Sequence, residues 1–177
     1  MKATGVVRRI DELGRIVIPK EIRKTMRLRE GEKIEIYISE KEEIILKKFS
    51  TLRNVSDFAQ NFADSINSFT KYNIIITDTD SIIALSGPLK KKFLKKNISE
   101  ELVFAVKRRE NILEKHKKPI KLTDDQEVEG TYVINSIVVN GDVAGLVIIL
   151  SEEDQIKDTD EKIAQIASQF FTKYLEE

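Results

Sequence analysis

Residues 33–39 read KIEIYIS, and their strict alternation of polar and apolar side chains constrains the fold more than any other feature of the chain. Successive side chains of a β-strand point to opposite faces, so Ile34, Ile36 and Ile38 form one apolar face that needs covering. This strand belongs to a short unit that ends near residue 50, where the pattern becomes helical. Chains of this size bury only about 60% of the surface exposed by the unfolded chain. We therefore predict that the unit needs a partner to complete its core.

The first 50 residues are predicted to form a β-β-α-β-β unit. Residues 4–10 (TGVVRRI) and 15–18 (RIVI) are interpreted as strands joined by a turn. Pro19 suits the first turn of a short helix, which we expect to end near Gly31. A strand over 43–49 follows KIEIYIS. The strand residues predicted to be core are Ile10, Ile16, Ile18, Ile34, Ile36 and Ile38.

Positive charge is concentrated in the first 29 residues. They contain nine Lys/Arg and three Asp/Glu, a net charge of +6 in a chain whose formal total is zero. Residues 30–50 carry a net charge of −2, and the remaining 127 residues carry −4. A basic end on a mildly acidic body is typical of a polyanion-binding module joined to a second module. The alternative is a solvated surface in which the arginines pair with Asp11, Glu12 and Glu21.

The residues from 54 to 177 are predicted as a second domain of order α-β-β-α-β-β-α, with a boundary near Phe49–Arg53. The strands YNIIIT and SIIAL surround the turn DTD. Ser99 is the predicted N-cap of a helix with acids in its first turn and bases in its last. Asn140-Gly141, between TYVINSIVV and DVAGLVIIL, is the strongest hairpin signal in the chain.

Two helices of this domain carry apolar seams. The spacing 4-3-4-3 predicts a helix whose seam consists of Val55, Ala59, Phe62, Ile66 and Phe69. A final helix, from about Asp158, repeats the spacing at Ile163, Ala167, Phe170 and Tyr174. Such seams favour association between helices, so we expect them to join two dimers into a tetramer.

Several classes of site are excluded or disfavoured by the residues. The chain has no cysteine, which excludes disulfides and cysteine-ligated metal sites. His116 is the single histidine, and we interpret it as a surface residue without a metal. The acidic run at 124–130 lacks the spacing of a calcium loop. No phosphate-binding loop, dinucleotide fingerprint or nucleophile elbow is present. We therefore predict that the protein is not an enzyme and needs no cofactor.

The run KKKFLKK at residues 90–96 has two interpretations. The favoured one is a solvated face around Phe93 and Leu94, and the alternative is a contact with DNA. The longest apolar stretch, VAGLVIIL, is far shorter than the roughly 18 residues of a membrane span. The first residues are charged where a signal peptide is apolar. These features predict a soluble, cytoplasmic protein with no membrane partner.

The first 50 residues resemble the AbrB family of transition-state regulators. The matching stretches are MKATGVVRRIDELGRIVIPKEIR and EGEKIEIYISEKEEIILKKF. The resemblance implies a dimer in which two β-β-α-β-β units interleave into one swapped-hairpin β-barrel that binds double-stranded DNA. The DNA-binding residues that it implies are Arg8, Arg9, Arg15, Arg23 and Lys24. Lys2 and Arg27 are weaker candidates.

Relatives in this family often have arginine where this chain has Lys24. A lysine contacts phosphate as a point charge but lacks the bidentate geometry that recognises guanine. The order of an AbrB-like unit and a GAF-like α/β domain is similar to that of sporulation regulators. GAF-like domains often hold a small molecule between sheet and helices, and no residue pattern here identifies such a ligand.

The resulting fold class is α+β: an N-terminal swapped-hairpin barrel followed by a GAF-like antiparallel sheet flanked by helices. The predicted domains are residues 1–50, for DNA binding, and residues 54–177, for oligomerisation and signal sensing. The predicted function is transcriptional regulation in sporulation, at the nucleoid. Two alternatives stay open: an antitoxin-like module, whose relatives usually carry a disordered tail, and a ligand sensor that acts through a protein partner.

Overall fold

The computed structural model describes residues 5–153 and 155–176. The chain divides into two compact units, Met1–Phe49 and Ser50–Glu177. The first unit contains helix α1 (Lys20–Thr25) and the antiparallel strands β1 (Ile34–Ile38) and β2 (Ile44–Lys48).

Residues 5–19 form no strand and contain one hydrogen-bonded turn, so the strands predicted at 4–10 and 15–18 are wrong for the single chain; Thr4 lies outside the described residues. Within this segment the turn is closed by Asp11 N–H, which donates to the Arg15 carbonyl at 3.1 Å, and by Gly14 N–H, which donates to the Asp11 carbonyl at 2.9 Å. A strand needs a neighbour for its backbone N–H and C=O groups. The described part of a single chain provides no such neighbour for this segment.

Helix α1 ends earlier than predicted, at Thr25 rather than near Gly31. Leu28 N–H donates to the Arg23 carbonyl at 2.7 Å, and Arg27 N–H donates to the Lys24 carbonyl at 3.2 Å. These two bonds form a Schellman motif, with Arg27 at a left-handed φ of 52°. Arg27 therefore lies beyond the helix and does not share a helical face with Arg23.

The first unit has almost no core of its own. Ile38 is 83% exposed, Ile36 67% and Ile10 63%, and the single buried residue among the described part of the unit is Pro19. A two-stranded hairpin and a six-residue helix offer too little surface to cover these side chains. The six isoleucines predicted as core are therefore exposed or only half-buried within one chain.

One interaction ties the loop after α1 to β2. Lys48 Nζ lies 2.7 Å from Glu32 Oε1, and both side chains are mostly buried. Glu32 also accepts a hydrogen bond from Arg29 N–H at 2.8 Å. Because both charges are partly withdrawn from water, their coulombic attraction is stronger than in an exposed pair, and the desolvation of both groups offsets part of that gain.

The second unit is a five-stranded antiparallel sheet with helices on both faces, and this confirms the α+β class. Its strand order is β4-β3-β7-β6-β5. The strands are β3 (Asn73–Thr77), β4 (Ile82–Ser86), β5 (Ile112–Thr123), β6 (Gln126–Val139) and β7 (Asp142–Ser151). The helices are α2 (Thr51–Asn54), α3 (Ser56–Thr70), α4 (Lys90–Phe93), α5 (Glu100–Arg108) and α6 (Asp158–Glu176).

Both faces of this sheet are buried, and side chains alternate between them. On β3, Ile74 and Ile76 pack against α2, α3 and α6, whereas Ile75 packs on the side of α4 and α5. On β7, Val147 and Ile148 divide in the same way. The second unit therefore has a complete core within one chain.

The two strongest local predictions in this unit are confirmed. Asn140 and Gly141 have φ values of 49° and 85° and connect β6 to β7, as expected for a two-residue hairpin. The Ser99 hydroxyl accepts a hydrogen bond from Leu102 N–H at 3.2 Å and caps α5.

Strand β5 is absent from the predicted order. Its sequence, ILEKHKKPIKLT, contains four lysines and a proline, so it lacks the apolar alternation of a half-buried strand. It pairs only with β6 and forms one edge of the sheet, where charged residues and proline are tolerated.

At the opposite edge, other groups cover β4. The Gln60 amide bonds both backbone groups of Leu85, at 3.1 and 3.2 Å. Lys95 N–H donates to the Ile82 carbonyl, and the Lys96 carbonyl accepts from Ile82 N–H, each at 2.9 Å. These bonds occupy backbone groups that could otherwise pair with another chain.

Gly145 permits the close approach of β7 to β3 and to α2. A Cβ added there would lie 1.8 Å from the Thr77 carbonyl oxygen and 2.8 Å from Leu52 Cδ1. Leu52 is fully buried, so helix α2 is anchored in the core directly above this glycine.

We expect Gly145→Ala to destabilise the second unit by about 3 kcal/mol or more, because strands β3 and β7 must separate to admit the methyl group. Gly141→Ala is the control: it meets no atom within 4 Å, and its φ of +85° imposes only a backbone cost of about 1–2 kcal/mol. Urea unfolding followed by circular dichroism measures both. Equal losses for the two variants would contradict this account.

Candidate nucleic-acid interface

The turn at Asp11–Arg15 is built around one aspartate side chain. Asp11 Oδ1 accepts hydrogen bonds from Leu13 N–H at 3.0 Å and from Arg15 N–H at 2.8 Å. Aspartate commonly organises turns in this way because its short side chain reaches the backbone two residues on. Gly14 takes a φ of 76°, a conformation that glycine adopts without strain.

The same aspartate holds the Arg15 side chain. Arg15 Nε lies 2.7 Å from Asp11 Oδ2, and both side chains are exposed. The pKa of the Asp11 carboxyl is lowered, first by the hydrogen bond from Arg15 N–H and then by the one from the guanidinium. One guanidinium edge is thereby engaged, and the remaining N–H groups of Arg15 can still donate to another acceptor.

The other predicted DNA-binding residues lack counter-ions. Arg8 and Arg9 are exposed residues of the irregular segment before the turn, and Arg23 and Lys24 are exposed residues of α1. None of these four side chains forms an ion pair with any residue in the described ranges. The predicted alternative, a surface neutralised by ion pairs, therefore applies to Arg15 alone among the five candidates.

The weaker candidates differ from these. Arg27 is half-buried beyond the end of α1, and its backbone carbonyl accepts a hydrogen bond from Lys48 Nζ at 3.4 Å. Lys2 lies outside the described residues. Lys20 is exposed at the start of α1. It contributes to the positive charge of the first 29 residues but is not among the predicted DNA-binding residues.

The chemistry of this surface suits a polyanion. Guanidinium groups present planar, paired donors that match phosphate oxygens and the edge of guanine, whereas the ammonium of Lys24 is a point charge. Each phosphate contact releases condensed counter-ions, so such a surface binds nucleic acid in a salt-dependent way. The four candidate arginines lie on the irregular segment, on the turn and on the short helix α1.

Other kinds of site find little support in the described residues. Within 5–153 and 155–176, no group of three or more His, Asp or Glu side chains is arranged to hold a metal ion. His116 is exposed on β5. None of the helices in these ranges is both long and apolar enough to cross a membrane.

Two family models match the chain. The model described as "Stage V sporulation protein T C-terminal, transcription factor" matches residues 54–176. The model described as "Antidote-toxin recognition MazE, bacterial antitoxin" matches residues 7–51, a range that contains all five predicted DNA-binding residues.

Two curated relatives come from Bacillus subtilis (strain 168). Stage V sporulation protein T is 41% identical over 178 residues, which cover 100% of both chains. The transition state regulatory protein AbrB is 55% identical over 49 residues, which cover 28% of this chain and 50% of AbrB.

Two solved structures align with part of this chain. The type II free methionine-R-sulfoxide reductase from Thermoplasma acidophilum has a TM-score of 0.55 at 13% identity, and the match covers 70% of this chain and 94% of that one. The cofactor-binding GAF domain of the nutrient sensor CodY from Clostridium difficile has a TM-score of 0.48 at 12% identity, covering 63% of this chain and 80% of that one.

The Asp11–Arg15 pair gives a measurable titration. Because the folded-state pKa of Asp11 is lowered, the carboxylate stabilises the turn above its ordinary pKa of 3.8, and this contribution is lost as the pH falls through the lowered value. In Arg15→Ala we expect the pKa of Asp11 to rise only part of the way to 3.8, because the backbone hydrogen bond remains. Carboxyl-carbon NMR shifts against pH measure this change.

Arg8→Ala is the control for this titration, because Arg8 does not contact Asp11 in the described structure. It should leave the Asp11 midpoint unchanged. An Asp11 midpoint at or above 3.8 in the unmodified protein would contradict the pairing.

Proposed function

Because the chain belongs to the stage V sporulation protein T family, and is therefore a sporulation-related transcriptional regulator, we propose that its first unit binds duplex DNA through Arg8, Arg9, Arg15, Arg23 and Lys24. The observation that carries this proposal is the set of exposed basic side chains without counter-ions on α1 and the preceding segment. DNA supplies the missing counter-charge. A regulator of the chromosome acts in the cytoplasm at the nucleoid, and we include that location in the proposal.

The arginines are proposed to divide between phosphate contact and base contact. Arg15 is the base-reading candidate, since Asp11 restricts its guanidinium to fewer orientations and a bidentate contact needs a fixed plane. Arg8, Arg9 and Lys24 are proposed as phosphate contacts, which position the protein without reading sequence. Side chains on a turn and an irregular segment can also adapt to the width of the DNA groove, which depends on the base sequence.

Dimerisation of the first unit is proposed from its exposed apolar residues. Full burial of an isoleucine contributes about 1.5–3 kcal/mol, and this unit leaves Ile36 and Ile38 more than half exposed. A second copy that interleaves as a swapped hairpin would cover these side chains and give residues 5–19 strands to pair with. It would also double the net charge of +6 carried by residues 1–29.

Association of the second unit is proposed from the outer face of α3 and α6. Phe58 stacks on Tyr174 with ring centroids 4.6 Å apart, and Phe62 stacks on Phe170 at 5.1 Å. Phe170 and Tyr174 remain 40% and 41% exposed, and the same two helices leave Phe69 89% and Ile166 65% exposed. Exposed apolar side chains on two neighbouring helices suit a second copy, which would join two dimers into a tetramer.

Three other functions have less support. The antitoxin model matches residues 7–51, whereas the transcription-factor model matches residues 54–176. An antitoxin function would therefore account for the first unit only. The resemblance to a sulfoxide reductase, at 13% identity, concerns the fold alone. A ligand sensor with output to a protein partner has less support, because no motif among the described residues identifies its ligand. We propose no cofactor and no enzymatic activity.

We expect Arg15→Ala to weaken binding to duplex DNA by ten-fold or more, about 1.4 kcal/mol, because a charge-assisted contact is lost. Arg23→Ala should have a similar effect without disturbing the Asp11 turn. Fluorescence anisotropy at moderate salt measures both affinities.

The matched control for these variants is Arg108→Ala, which removes the same charge from an exposed residue of α5. It should bind DNA like the unmodified protein. Unchanged affinity in both Arg15→Ala and Arg23→Ala would refute the proposed interface.

The two proposed interfaces should be separable by mutation. Ile38→Lys adds a charge to the face that the first units share, so we expect dimers in place of tetramers and loss of DNA binding. Ile166→Asp acts on the outer face of α6, so we expect dimers that still bind DNA. Light scattering gives the mass, and anisotropy gives the affinity.

Phe104→Asp is the control for both, because Phe104 is 54% exposed on α5, on the other side of the sheet. It should remain tetrameric and bind DNA. If Ile38→Lys retains both the mass and the affinity of the unmodified protein, the shared-core dimer is wrong.

A further inference from the structure

The segment Lys90–Lys96 carries five lysines in a unit that is otherwise acidic. Residues 51–177 have a net charge of −4, so this segment is a local reversal of sign. Phe93, in its middle, is completely buried and anchors the segment to the core. The exposed lysines, which we call the lysine patch, are Lys91, Lys92, Lys95 and Lys96.

Few acids neutralise the lysine patch. Lys90 lies 3.9 Å from Asp64, but the patch lysines form no ion pair with a residue of the described ranges. Asp125 does interact with the patch: its carboxyl has a lowered pKa, first because of the hydrogen bond from Thr123 and, more weakly, because of two patch lysines. One carboxylate beside four ammonium groups leaves the surface positive.

The lysine patch stands on an ordered backbone. The hydrogen bonds of Lys95 and Lys96 with Ile82 fix the end of the segment to the edge strand β4. Lys92 Nζ and Lys96 Nζ lie 5.0 and 5.9 Å from the centre of the Phe93 ring, which attracts a cation. An ordered patch loses less conformational entropy on binding than a mobile lysine-rich loop.

The lysine patch is connected through the residue that follows it to the turn at residues 78–81. Asn97, directly after the patch, pairs with Ser81 through a β-bridge. Arg53 of α2 donates to Ser81 Oγ at 3.1 Å and to the buried Asp78 at 2.7 Å. The turn at 78–81 therefore contacts both α2 and the residue that follows the patch.

We propose that the lysine patch is a second, sequence-independent contact surface for the phosphate backbone of duplex DNA. This inference rests on the proposed function, since it adds contacts to the DNA that the first unit binds. A composition of lysine alone supports phosphate contact rather than base reading, because an ammonium is a point charge without a fixed plane. In an oligomer the patch is repeated in every copy, so its contribution to DNA affinity is multiplied.

The test compares two four-lysine variants of the full-length protein. The patch variant carries Lys→Gln at all four patch positions. The control variant carries Lys→Gln at four exposed lysines elsewhere in the second unit, so both lose the same charge. The control positions are Lys107, Lys117, Lys118 and Lys157, exposed lysines that lie on neither α3 nor α6. Affinity for one operator-length duplex is measured by anisotropy over a series of salt concentrations.

We expect the patch variant to bind at least ten-fold more weakly than the control, with a log–log salt slope that is shallower by about 2 or more. Each phosphate contact contributes about 0.9 to that slope, so this difference corresponds to two or more lost contacts. Lys91→Gln combined with Lys95→Gln, which leaves the lysines beside Phe93 in place, should reduce the slope by about half as much. This second variant guards against a folding defect.

Equal affinities and slopes in the patch and control variants would overturn the inference. An acidic protein that binds the patch in place of DNA would give this result. If Arg15→Ala and Arg23→Ala still weaken binding in that case, the proposed function stands and only the inference fails. If the unmodified protein has no salt-dependent affinity for duplex DNA, both are wrong.

Discussion

Removal of apolar side chains from water is the constraint on which the rest of this protein depends, and the two units meet it differently. The sheet of the second unit is covered on both faces by its own helices, with Ile74 and Ile75 directed to opposite sides. The first unit has one hairpin and one short helix, and leaves Ile38 83% exposed. One unit has a complete core in a single chain, whereas the other leaves apolar side chains exposed, which we propose a second copy covers.

The two units also differ in charge. The first unit carries unneutralised arginines on the segments that lack a core, so association would complete the fold and assemble the basic surface together. The second unit is acidic as a whole, yet its lysine patch is tied to β4 beside the turn that receives Arg53. The formal net charge of zero is therefore the sum of a basic N-terminal segment and an acidic remainder of the chain.

Sequence patterns predicted some elements well and others poorly, for identifiable reasons. The Asn140-Gly141 hairpin and the Ser99 cap are local, because turn and capping chemistry depends on neighbouring residues. Strand β5 is absent from the prediction because an edge strand needs no apolar alternation. Helix α1 ends early because Arg27 adopts a left-handed conformation that propensity does not assign to arginine.

The sequence by itself determined the basic character of the first 29 residues and the class of each strongly patterned element, and it predicts that the first unit needs a partner. Those properties follow from local spacing and from counting apolar and charged side chains. Tertiary structure alone decided that Asp11 engages Arg15, that Gly145 makes room for Leu52, and that the patch lysines form no ion pair with a described residue. These depend on distances between residues, some of them far apart in the chain, and a linear pattern carries no such distances.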